Sequence, residues 1–155
     1  MSASPRVEGL VHERVDPARP DFRVRFVNPP ALWAAPRITQ VVDVRDARMI
    51  HLSGQTPTTA DYRVVDGGFR EQLHRVFDNI EAALASVGAG LADIVKTTTY
   101  ITDPAHRDAM REVRVARLGH LPAYPANTAL VVASLIEPGF LVEVDVVAAV
   151  PAGRD

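Results

Sequence analysis

The spacing of apolar residues changes period twice along the chain. FRVRFV at 22–27 alternates apolar and polar side chains, which suits a short strand. NPPALWAAP at 28–36 is loop chemistry, because its three prolines lack amide donors. ITQVVDV and ARMIHLSGQ predict two more strands, joined as a hairpin by a short turn at Arg45 and Asp46. TPTTADYRVVDG is a polar loop ending in glycine. From Gly68 the spacing lengthens. Phe69, Leu73, Val76, Phe77, Ile80 and Leu84 recur at three and four, one apolar face of a helix. Gly88 and Gly90 end it.

The strand period then returns in DIVKTTTYIT, 93–102, a β-branched run. Asp103 followed by Pro104 is an N-cap and first-turn proline, opening a second helix that reaches about Leu118. NTALVVASL and GFLVEVDVVAAV predict a closing antiparallel pair of strands with a turn at Glu137, Pro138 and Gly139. Strands, helix, strand, helix and two strands make an α+β single domain, one sheet with two helices on one face. Its expected extent is 22–151. Residues 1–21, rich in Pro, Ser, Arg and acidic residues, read as a flexible or extended N-terminal arm, lying on a neighbour where it is extended. The last strand carries valines on one parity and Glu143 and Asp145 on the other. The face without helices is therefore expected to pack against other subunits of a symmetric homo-oligomer.

Composition removes several function classes. Seventeen basic residues against 19 acidic argue against a nucleic-acid binder. With no cysteine, thiolate catalysis, disulfides and sulfur metal sites are excluded. No stretch reaches the roughly 18 apolar residues of a membrane span, so the expected location is the cytoplasm. Histidines 12, 51, 74, 106 and 120 lack ligand spacing, so neither a metal nor another cofactor is expected. His51, inside an apolar strand, reads as buried and hydrogen-bonded. Ser53 has no G-x-S-x-G elbow around it and reads as a strand-end turn. Arg107, Arg111, Arg114 and Arg117 on the second helix are interleaved with Asp108 and Glu112, which predicts a solvated, ion-paired face. Trp33 reads as a packing plug for an adjoining subunit, with a lid over a cleft as the alternative.

HLSGQTP, FREQLHRVFDNIEAALASVGAGLADIVKTTTYITD, PAN and LVEVDVVAAV, in that order, resemble the RidA/YjgF family over roughly residues 28–150. The most specific block holds Gln72, Asn79, Leu84, Gly88, Asp93, Val95 and Lys96. The resemblance implies a chorismate-mutase-like fold, a homotrimer with three clefts between subunits, and hydrolysis of small enamines and imines such as 2-aminoacrylate. In that family an arginine clamps the substrate carboxylate and a glutamate orders the attacking water.

Carried over residue by residue, Glu143 matches the glutamate and Gly54 the glycine of the SGQ turn. Asn127 stands at the arginine position, Ala129 where many members have cysteine, Ile38 at the tyrosine position and Met110 near a helix asparagine. The expected site therefore has Glu143 and Asn127 as catalytic groups, with Gly54, Arg37, Ile38, Met110, Thr128 and Ala129 binding substrate. An asparagine has neither the charge nor the planar fork of an arginine. A larger, less charged or more apolar ligand than aminoacrylate is therefore expected. Two alternatives remain open: a tautomerase, cyclase or condensation enzyme of a specialised pathway, and a non-catalytic metabolite-binding protein.

Overall fold

A computed structural model describes residues 8–153. Strands β1 (Leu10–Asp16), β2 (Arg19–Val27) and β3 (Val41–Arg45) form one antiparallel sheet in that order. A second, mixed sheet has the order β4-β7-β5-β6, from β4 (Ala47–His51), β5 (Ile94–Ile101), β6 (Ala126–Val131) and β7 (Val142–Pro151). Helices α1 (Phe69–Ala85) and α2 (Arg107–Leu118) cover one face of the mixed sheet.

All six apolar residues that predicted α1 are buried. They pack on Val142, Val144, Val146, Ala148 and Val150, alternate positions of β7. Asp103 caps the second helical segment as expected, its Oδ1 accepting the Ala105 amide at 2.8 Å. Two polar residues of the middle block hold loops. Gln72 is buried on α1, donating to the Gly139 carbonyl and accepting the Leu141 amide, both at 2.8 Å. Asn79 donates to the carbonyls of Thr56 and Thr58, both at 3.0 Å.

Three expectations need correction. β3 and β4 both form but are not a hairpin. The chain turns at Asp46, whose φ is +50°, and the two strands enter different sheets. The last two strands are not an antiparallel pair either. β6 runs parallel to β5 and β7 pairs antiparallel with β5 on its other side. A parallel neighbour needs a crossover, and α2 supplies it. Third, His51 is exposed, because the alternation that buries Ile50 turns the next side chain to the other face.

The N-terminal arm is extended over part of its length. Its residues 1–7 lie outside the described residues. Residues 10–16 are a strand paired with β2. Arg14 fastens that hairpin to the rest of the chain, binding Asp93 Oδ1 at 2.8 Å. Beneath it Phe22, Val24 and Phe26 pack on Val95 and Ala149. The ordered unit thus starts before residue 22. Among the described residues no helix is long and apolar enough to cross a membrane.

Candidate functional site

Strand pairing divides the expected site residues between two places. On β7, Glu143 is opposite Tyr100 of β5, and Asp145 is opposite Thr98. All four lie on the face of the sheet away from the helices. The segment after β4 runs alongside β7, with Gln55 and Val144 exchanging backbone hydrogen bonds at 2.9 and 3.1 Å. This pairing brings Gly54 against Glu143. A Cβ at Gly54 would lie 2.0 Å from Glu143 Oε1 and 3.2 Å from Asp145 Oδ1, so only glycine leaves the carboxylate in place.

Glu143 is half-buried in an open pocket of about 440 Å³, with Tyr100 and Asp145 beside it and Leu135 and Ile136 on its rim. Tyr100 donates its hydroxyl to Asp145 Oδ2 at 2.9 Å. Burial, and then the Asp145 charge, raise the Glu143 pKa above its ordinary value. The same hydrogen bond to Asp145 raises that of Tyr100.

The other expected residues gather at the free edge of β6. Arg37, Ile38, Met110, Asn127, Thr128 and Ala129 line one cleft of about 560 Å³. Asn127 pairs in register with Thr97 on the helix side of the sheet, and its Oδ1 accepts the Thr97 hydroxyl at 2.8 Å. That bond leaves Nδ2 as the group the amide presents for donation. Thr128 accepts from Lys96 Nζ at 2.6 Å on the opposite side. Within one chain, Glu143 and Asn127 stand on opposite faces of the sheet.

The loop before β3 forms the far wall of the cleft. Asn28 braces it, donating to the Ile38 carbonyl and accepting the Gln40 amide, both at 2.8 Å. Gln40 in turn donates to the Trp33 carbonyl at 2.6 Å. Arg37, between these ties, takes φ +68°, a left-handed conformation that is costly for a residue with a side chain. Trp33 is 71% exposed and lies on the rim of the cleft.

Residues 31–150 match the sequence model of a family described as Endoribonuclease L-PSP. RutC family protein YjgH of Escherichia coli strain K12 is 31% identical over 108 residues, 70% of this chain and 80% of its own length. The chain belongs to the RidA/YjgF family. A RutC family protein of Pyrococcus abyssi is 33% identical over 68% of this chain and 81% of its own. Among solved structures, RidA from Psychrobacter sp. PAMC 21119 superposes with a TM-score of 0.61 at 31% identity, covering 68% of this chain and 87% of its own. YyfB of the Rid family, from Yersinia pestis, gives 0.73 at 27% identity, covering 82% and 98%.

This RidA/YjgF chain carries a feature the sequence reading missed. Its cleft is cationic, lined by Lys96, Arg107, Arg111 and Arg114 as well as Arg37. The arginines of α2 are not one solvated face. Arg107 and Arg111 are exposed and share Asp108, at 3.7 and 3.4 Å. Arg117 turns to α1, where it bonds Asp78 at 2.7 Å and Glu81 at 2.5 Å. Glu112 pairs with Arg70 instead of a neighbour on its own helix. Arg114 is half-buried over the Tyr124 ring, 5.8 Å from its centroid, and meets no carboxylate among the described residues. The signal was its spacing: Arg114 follows buried Met110 by four, which sets it on the inward side of the helix.

Proposed function

We propose that the protein hydrolyses reactive enamines or imines in clefts between copies of the chain. The observation that carries this reading is Glu143. It is a partly desolvated carboxylate with a raised pKa, held against the Gly54 backbone and open to a pocket. Such a group suits proton transfer to and from a bound water.

An enamine first tautomerises to its imine. Water held at Glu143 then attacks the imine carbon, forming a C–O bond as the C=N π pair moves to nitrogen. Glu143 takes the water's proton. That proton passes to nitrogen to give a carbinolamine. Glu143 then moves the hydroxyl proton to nitrogen as well. The O–H pair forms the C=O bond while the C–N bond breaks, and ammonia leaves with a carbonyl product. Asn127 donates from Nδ2 to a substrate oxygen or nitrogen. Because Glu143 and Asn127 face opposite ways in one chain, a site that uses both requires a second copy. A homotrimer, as the family resemblance implies, supplies three such sites. Leu130 and Val131, exposed on β6, are apolar surface available for that contact.

Ammonia release from imines generated in situ tests the reading. Glu143→Gln keeps the shape of the side chain and removes its basicity. Turnover should fall by about 10²- to 10⁴-fold with the association state unchanged. Undiminished turnover removes Glu143 from the reaction. No turnover of any imine by the wild-type protein contradicts the hydrolase reading.

A further inference from the structure

We infer that Arg114 is the anchor of a ligand carrying two negative charges. The inference rests on the cleft beside Asn127 being the substrate site, and it reverses the expectation of a less charged ligand.

Five cationic side chains line that cleft, from Arg37, Lys96, Arg107, Arg111 and Arg114. Asp108 is the carboxylate paired with two of them, Arg107 and Arg111. A marked positive surplus remains, more than a single carboxylate would offset. Arg114 is the cleft arginine with an orphaned buried nitrogen among the described residues. Its Nη2 is shut off from solvent and meets no hydrogen-bond partner among the described residues, and the hydroxyl of Tyr124, whose ring lies under the guanidinium, is orphaned in the same way. A buried guanidinium without a counter-charge is costly. An oxyanion in the cleft offsets that charge through the guanidinium groups that line it. Arg114 also lines an adjoining cleft of about 350 Å³ together with Trp33, Arg37, Arg111 and Tyr124. Arg114 thus lines both spaces, and Lys96 lines the larger one. Arg37, held at positive φ on the facing wall, supplies the second cation.

The ligand class is a dianionic oxyacid, either a dicarboxylate or a phosphate monoester. Calorimetric titration of the full-length protein with succinate, its monoamide and inorganic phosphate tests the assignment. Either succinate or phosphate should bind the wild type, and the tighter of the two identifies the oxyacid. The monoamide should bind about tenfold or more weakly than succinate if the oxyacid is a dicarboxylate. Arg114→Met should weaken the preferred dianion by about tenfold or more, while Arg114→Lys, keeping charge without the fork, falls between. Binding is read without turnover, which separates this inference from the hydrolase reading, and Arg63→Met, exposed and away from the cleft, should bind like the wild type. Unchanged binding by Arg114→Met, or by Arg114→Lys if the methionine variant does not fold, overturns the assignment. So does wild-type protein that binds none of the three probes.

Discussion

The two faces of the four-stranded sheet follow different rules. On the helix side, β7 presents Val142, Val144, Val146, Ala148 and Val150, all buried beneath α1 and α2 within the single chain. On the other side the same strand presents Glu143 and Asp145, and β5 presents Lys96, Thr98 and Tyr100, all half-buried. The β1–β2–β3 sheet covers part of that side, where Phe22, Val24 and Phe26 meet Val95, Val147 and Ala149. One face secures the fold, and the other holds polar groups that the fold itself does not need. A family that keeps the first face can vary its chemistry on the second and along the β6 edge.

The largest expected effect breaks the comparison on the helix side. Leu84 is fully buried, so Leu84→Ala should cost about 2 to 5 kcal/mol, measured by chemical denaturation. Leu130→Asp, placed on the open face, should instead lower the association state in light scattering while circular dichroism stays unchanged. Equal loss of fold in both variants would show that the faces do not differ as described.

The smallest effect concerns pH. Glu143 has a raised pKa in the folded protein. Its folded, protonated form is therefore favoured, and the stability this gives is present below the ordinary carboxylate pKa. That stability is lost as pH rises through the raised value. Glu143→Gln removes this dependence, so its melting temperature relative to wild type should increase across that window. The gain is small because the carboxylate is only partly buried. Parallel melting curves across the window would mean that Glu143 titrates as an ordinary surface glutamate.

How much of this was legible depended on whether the signal was local. The face of α1 was readable because burial follows its period of three and four. So was the cap at Asp103, since cap and first-turn proline are adjacent. The order of strands was not readable. β5 and β6 are similar runs of β-branched and apolar residues, and nothing in NTALVV states that its neighbour is Thr97 rather than a residue of β7. Grouping Arg37, Ile38, Met110, Asn127, Thr128 and Ala129 came from the family resemblance, and the structure places those six in one cleft. The charge of that cleft was hidden. An arginine every three or four residues along a polar helix looks solvated, and only the packing of α2 separates Arg114 from Arg111.

The central claim is that Glu143 of one copy works with the cleft of another. Co-expressing Glu143→Gln and Arg114→Met chains with different tags, then isolating mixed oligomers, tests this most directly. Each variant alone should release little ammonia from an anionic imine. If the site is shared between the copies of a trimer, each mixed oligomer should carry one wild-type site in three, built from one intact Glu143 and one intact Arg114 on different chains. Mixed oligomers no more active than the separate variants would contradict the account, placing all the required groups within one chain or outside the reaction.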